Sequence, residues 1–278
     1  MKRGRASSTS TFVTFFRALG DAGYTNVRGF SDPTARALLP PKWAKKLEAI
    51  ERKPPRPRFR EGLVRAADVM VLRTTVIDGE VRDAIRAGVR QLVILGAGLD
   101  GRAFRMAELA QSDVLEVDHP DTQTEKRERS RALAVASRSH RFVGVDFERD
   151  PLDRALESAG HRASEPTIWI WEGVVMYLGA EAVRSTLAAI ASRSAPGSTL
   201  VIQYNTREGR SFASNLVLRL WGEPQIGLRS PEEIASELAA AGFRVVSDSG
   251  VPDWAARHGA PNPPLKIAKR ARIVVARR

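Results

Sequence analysis

Four apolar residues, 92–95 (LVIL), run straight into GAGLDG, residues 96–101. A short apolar run closed by glycines at 96, 98 and 101 fits the G-x-G-x-x-G turn between a buried strand and a helix. The rest of the chain agrees with that reading. From residue 91 onward short apolar runs alternate with helical patterns, as in a parallel sheet joined by crossover helices. The predicted strands are 92–95, 114–117, 141–145, 167–171 and 199–204, followed by 243–248 and a last strand within 265–276. Predicted helices fill 102–109, 122–137, 152–158, 181–192 and 230–241. Nothing helical is predicted between the last two strands, so they pair antiparallel, with the final strand inserted in or laid on the sheet.

Upstream, residues 11–22, 32–50 and 62–88 read as helices, with Val64, Ala67, Val71 and Leu72 at helical spacing in the last. Between them KPPRPRFR, residues 53–60, reads as an extended, exposed linker. The predicted organisation is one domain over 1–278. Residues 1–60 form a helical cap and Pro/Arg linker, and 61–278 form the α/β core. An insertion near 206–228, with an apolar stripe of Phe212, Leu216, Leu220 and Trp221, reads as a lid over the crevice.

Composition narrows the function classes. Of 278 residues 43% are hydrophobic, which fits a packed core, and no apolar run is long enough to span a bilayer. The absence of cysteine excludes disulfides, thiolate metal sites and a cysteine nucleophile. His119, His140, His161 and His258 show no metal-ligand spacing, so no metal is expected. The net charge of +12 comes mainly from 36 arginines scattered over every segment. Scattered charge is no nucleic-acid footprint, although it suits an anionic small molecule. A cytoplasmic enzyme is the expectation.

In an open α/β sheet, ligands bind beyond the carboxyl ends of the strands where strand order reverses, and the glycine loop lies there. Asp118 closes the second strand 20 residues after Gly98, the place from which a carboxylate accepts hydrogen bonds from ribose hydroxyls. Asp146 and Phe147, just past the third strand, supply an acid for an exocyclic amine and an apolar face for adenine. These residues describe an adenosine ligand without saying which. Asp100 inside the loop opposes a pyrophosphate at the helix start, whereas a sulfonium with an amino-acid tail meets no such objection. The residues therefore favour S-adenosylmethionine over NAD, with an NAD(P)-dependent oxidoreductase as the alternative.

GAGLDGRAFR, LEVDHPDTQTEK, VDF and WEGVVMYL, in this order, resemble the leucine carboxyl methyltransferase-like family of class I S-adenosylmethionine-dependent methyltransferases. SDPTARALL and RTTVIDGEV, upstream, extend the likeness to about residues 31–197. The resemblance implies a Rossmann-like, mostly parallel seven-stranded sheet with an antiparallel C-terminal strand and an N-terminal helical cap. It further implies that Arg73 binds the methionine carboxylate, that Gly96 and Gly98 lie under the methionine, and that Asp118 holds the ribose. Asp146 and Phe147 would frame the adenine, and Glu172 would meet the cofactor's amino group.

The implied reaction is O-methylation of a small, anionic acceptor of polyketide type, at a carboxylate to give a methyl ester, with a hydroxyl as the second choice. A protein C-terminal carboxylate is the alternative acceptor. A carboxylate is already ionised and needs no general base, and none stands out near WEGVVMYL. Tyr177 is the candidate catalytic residue, orienting the acceptor. Gln203, Tyr204 and Asn205, at the end of the fifth strand, are expected to face the same crevice, the last two as substrate-binding residues. His119, in a His-Pro turn, reads as a turn element rather than a base.

Overall fold

The computed structural model describes residues 8–208 and 225–278. Seven strands form one sheet: β1 (Gln91–Leu95), β2 (Asp113–Asp118), β3 (Ser139–Gly144), β4 (Thr167–Trp171), β5 (Thr199–Asn205), β6 (Arg244–Gly250) and β7 (Ala271–Arg277). Its order is β3-β2-β1-β4-β5-β7-β6, with β7 inserted antiparallel between β5 and β6 and every other pairing parallel. Strand order reverses between β1 and β4, so the crevice lies beyond Leu95 and Trp171.

The helices are α1 (Ser8–Asp21), α2 (Pro33–Leu38), α3 (Pro41–Arg52), α4 (Pro57–Arg86), α5 (Arg102–Arg105), α6 (Pro120–Ser130), α7 (Leu152–Ser158), α8 (Ala180–Ser192), α9 (Pro231–Ala240) and α10 (Val251–Arg257). Strand alternation sorts the core into two layers. Leu92, Ile94, Ile168, Ile170 and Val201 pack with Leu19 of α1, Leu72 and Ile77 of α4 and Trp254 of α10. Val93, Leu95, Trp169, Trp171, Leu200 and Ile202 pack on the other face with Leu156 of α7, Leu187 of α8 and Ile234 of α9.

Four expectations change. The helix over 32–50 is two, because Pro41 forces Pro40 into an extended conformation (ψ 147°) that ends α2 and starts α3. The linker is shorter than 53–60: Pro57 is preset for a first helical turn, so α4 begins there and runs 30 residues. The helix over 102–109 breaks at Met106, which is extended, into α5 and a 3₁₀ turn over Ala107–Gln111. The helix over 122–137 stops at Ser130, and Ala136 and Ser137 donate instead to the carbonyl of Ala103.

A fifth feature escaped notice. α10 lies between β6 and β7, started by a hydrogen bond from Gly250 N–H to Asp253 Oδ2 at 2.8 Å and anchored by buried Val251, Trp254 and Ala255. The antiparallel pairing holds although its premise, a connection without helix, does not. Most of the expected lid, with Phe212, Leu216, Leu220 and Trp221, lies outside the described residues.

Candidate active site

A cleft of about 970 Å³ opens beyond the carboxyl ends of β1, β2, β4 and β5. Its floor is the glycine loop. Gly96 has φ 66°, and a Cβ there would stand 2.2 Å from Val174 Cγ2, so neither its conformation nor its surroundings accept a side chain. Gly98, at φ 46°, donates its N–H to Asp118 Oδ2 at 2.5 Å, while His119 N–H donates to Oδ1 at 2.6 Å. Burial pushes the Asp118 carboxyl up despite these two bonds. His119 caps α6 through Nδ1, which accepts from Asp121 N–H at 3.3 Å, the turn role its sequence context suggested.

Beside the loop lies a network of four arginines and four acids. Arg102 Nε pairs with Asp78 Oδ1 at 2.8 Å, and its Nη1 pairs with Asp100 and, at 3.0 Å, with Glu172. Arg105 joins Asp78 at 2.7 Å to Asp32 at 3.5 Å, and Arg17 closes on Asp32 at 2.7 Å. Arg73 Nε stands 2.8 Å from Glu172 Oε1 without hydrogen-bond alignment. Burial opposes charge on Glu172, Asp100 and Asp32, yet the neighbouring guanidiniums outweigh it and hold all three carboxyls below their usual range.

This network bears on the ligand. Asp100 Oδ1 already accepts the Arg102 N–H at 2.7 Å, so a carboxylate of the protein itself occupies the start of α5 where a pyrophosphate would sit. Four positive and four negative side chains also balance. A zwitterionic amino-acid tail enters such a network without upsetting it, and a pyrophosphate does not. Asp118, the glycine cradle, Phe147 and the Arg73–Glu172 pair therefore fit an adenosine bearing a methionine.

The cleft is also walled by Phe12 and Val13 of α1, Met70 of α4, Met176, Leu178 and Ile267. Tyr177 Oη donates to Thr9 Oγ1 at 3.4 Å, and Gln203 and Asn205 project from β5.

Arg73, Gly96, Gly98, Asp118, Asp146, Phe147, Glu172, Tyr177 and Asn205 thus line one cleft. Tyr204 does not. Neighbours along a strand point to opposite faces, so Tyr204 shares the second core layer with Leu200 and Ile202. It is fully buried there, with Oη donating to Asp248 Oδ2 at 2.6 Å. Its assignment to substrate binding is corrected accordingly.

Sequence reasoning missed Arg17, Asp32, Asp78, Arg102 and Arg105, whose partners lie far apart in the chain. The helix predicted over 11–22 was read only as part of a cap. Instead, Ser10 packs on the glycine loop, Arg17 donates to the Leu99 carbonyl at 3.3 Å, and Phe15, Ala18 and Leu19 join the core. The cue was present: FVTFFRAL carries its apolar residues at helical spacing.

The sheet and its crevice define a class I, Rossmann-like methyltransferase fold. Two solved structures share it. A duf574 family protein from Streptomyces avermitilis superposes with a TM-score of 0.64 at 17% identity, covering 99% of this chain and 98% of that one. A protein from Thermobifida fusca, provisionally named a methyltransferase, gives 0.59 at 21% identity over 100% and 96%. Residues 10–191 match the leucine carboxyl methyltransferase family, and the chain belongs to it. A Mycolicibacterium smegmatis protein, provisionally named an S-adenosyl-L-methionine-dependent methyltransferase, is 44% identical over 148 residues, covering 53% of this chain and 48% of that protein. The chain spans about half the length of the curated relatives it matches. S-adenosylmethionine is the cofactor.

Proposed function

We propose that this protein transfers a methyl group from S-adenosylmethionine to an oxygen of a small, predominantly apolar molecule. The observation carrying this reading is that one cleft is lined both by charged residues, Arg17, Arg73, Asp100, Asp118 and Glu172, and by a set of apolar ones, Phe12, Val13, Met70, Met176 and Leu178. In this reading Asp118 holds the ribose hydroxyls, while Asp146 and Phe147 frame the adenine. Glu172 faces the cofactor's amino group. Arg73 swings from Glu172 to the methionine carboxylate, where its planar fork suits two parallel hydrogen bonds.

The bound cofactor supplies an electrophilic methyl on a sulfonium. The acceptor oxygen would take that methyl, S-adenosylhomocysteine would leave, and the proton of a hydroxyl acceptor would pass to solvent. The protein's own contribution is to fix the acceptor in line and to limit water at the reacting atoms, for which Phe12, Val13, Met176 and Leu178 line the cleft. Tyr177 orients the acceptor.

A hydroxyl suits this chamber better than a carboxylate, because the two guanidiniums on the cleft wall near it, Arg17 and Arg73, already face Asp32 and Glu172. A buried anion without a partner is costly. A carboxylate is the second reading, favoured by the description of the family and by the sulfonium, which supplies the positive charge the wall lacks.

Incubation with methyl-labelled cofactor and candidate acceptors tests both. An alkali-stable ether, formed at a rate that rises between about pH 6 and 9, supports the hydroxyl reading, since a phenol ionises near pH 10. An alkali-labile ester formed at a pH-independent rate supports the carboxylate. Label on neither kind of product, or on carbon or nitrogen, overturns O-methylation.

A further inference from the structure

Gln203 is almost fully buried, at 1% exposure, yet it lines the cleft from β5. Its amide orientation is fixed from outside. Nε2 donates to the carbonyl of Tyr204 at 2.9 Å and to Asn205 Oδ1 at 3.1 Å. Turning the amide over would set Oε1 against these two acceptors, so the nitrogen belongs where it is. Asn205 is held in turn, its Nδ2 donating to Gln225 Oε1 at 3.5 Å. The remaining atom, Gln203 Oε1, is buried and has no hydrogen-bond partner. A Cβ added at Gly173 would come to 4.0 Å of it, so the carbonyl faces the end of β4 immediately after Glu172.

A buried polar atom is almost always hydrogen-bonded. An oriented carbonyl without a donor, in the cleft wall beside Gly173, is a receptor for a donor that arrives with a ligand. We infer that Gln203 Oε1 accepts a hydrogen bond from an O–H of the methyl acceptor, making Gln203 a specificity-determining residue for neutral hydroxyl substrates. A carboxylate or an ether offers no hydrogen to this oxygen, and a carboxylate is also repelled by it. Asn205 acts through Gln203 as a positioning residue that keeps the carbonyl aimed. The inference deepens the proposed O-methylation and rests on it.

Its test uses three probes of one shape, 2-naphthol, 2-methoxynaphthalene and 2-naphthoate, titrated into the full chain saturated with S-adenosylhomocysteine. The parent is expected to bind naphthol at least tenfold more tightly than the other two. In Gln203→Met, which keeps the length and removes the carbonyl, the preference for naphthol over methoxynaphthalene should fall to twofold or less. Affinity for S-adenosylhomocysteine should stay within twofold of the parent.

The ligand comparison on the parent alone keeps the inference open to refutation should the variant misfold. Equal binding of all three probes, or binding of none, overturns it. A naphthol preference that survives in Gln203→Met overturns the role of Gln203 while leaving the hydroxyl reading standing, and preference for naphthoate overturns both. A tenfold loss of S-adenosylhomocysteine affinity in the variant assigns the carbonyl to the cofactor instead.

Discussion

The two sets of residues at the cleft are built on opposite principles. On the one hand, Arg17, Arg73, Asp100 and Glu172 line the cleft and interlock with Arg102, Arg105, Asp32 and Asp78, which do not, in ion pairs that mostly join distant parts of the chain. On the other, Phe12, Val13, Met70, Met176 and Ile267 form a wall whose specificity rests on a few amide and hydroxyl groups. A buried charge network is rigid in geometry and intolerant of deletion, because removing one member strands the others. An apolar wall tolerates exchange of similar volumes. The difference teaches that, in the proposed reading, the residues meeting the cofactor are constrained by the fold itself, whereas those meeting the acceptor are free to change with the substrate.

The largest effect should come from the middle of the network. Arg102 touches Asp78, Asp100 and Glu172, so Arg102→Met leaves three buried carboxylates short of a partner. A loss of about 3–5 kcal/mol is expected at pH 7 by urea denaturation. The loss should shrink on acidification. Without Arg102 the carboxyls of Asp100 and Glu172 rise rather than fall, and protonation then relieves them. A variant within 1 kcal/mol of the parent, on the same denaturation curve, would show that the network is ornamental to the fold.

Next is Asp118, whose two oxygens are already engaged by backbone N–H groups of the loop and of α6. Asp118→Ala should weaken S-adenosylhomocysteine binding by about 1–3 kcal/mol, the cost of hydrogen bonds to a charged group. Calorimetry reads it directly. Undiminished affinity would place the ribose elsewhere and end the contrast between the two sets as drawn.

The contrast also explains what the sequence could tell. β1, β2, β4 and β5 announce themselves as apolar runs, and Gly96, Gly98 and Asp118 stand at intervals that one strand-turn-helix unit dictates. The ion network gives no such signal. Arg102 and Glu172 are 70 residues apart and Arg17 and Asp32 are 15, and nothing local marks either as a partner. Tyr204 failed for a different reason. The end of β5 was read as a cluster, whereas alternation sends Gln203 and Asn205 to one face and Tyr204 to the other. α10 was missed because seven residues opening on Val-Pro carry too little periodicity to outweigh the prolines that follow.

His161 offers a control remote from either set. It sits beside the start of β4, its Nε2 2.9 Å from Thr167 Oγ1 and its Nδ1 accepting from Arg193 Nε at 3.2 Å. Burial, with the nearby Arg193 charge, pushes its imidazole down to about 4. The folded protein therefore binds fewer protons here than the unfolded chain. Stability from this group is present above pH 6.5 and is lost as the pH falls toward 4, by about 2 kcal/mol. His161→Gln should flatten the fall in Tm across that window and leave S-adenosylhomocysteine affinity at pH 7 untouched. An unchanged slope would mean that the imidazole titrates normally.

The smallest effect on the cofactor should come from the apolar wall, and its smallness is the point. Phe12 lines the cleft from α1, its ring edge-on to Phe16 with centroids 4.6 Å apart. Phe12→Leu retains an apolar side chain of similar reach and removes an aromatic face worth about 0.5–1.5 kcal/mol to a stacked ring. Binding of 2-naphthol in the presence of S-adenosylhomocysteine should weaken about three- to tenfold, by the usual conversion of free energy to affinity. S-adenosylhomocysteine alone should bind within about twofold of the parent where the two sets of residues act independently. Calorimetry of both ligands on one preparation separates the outcomes. Equal losses for both would mean that α1 supports the two sets as a single unit through Ser10 and Arg17, and their division would then be one of chemistry but not of energy.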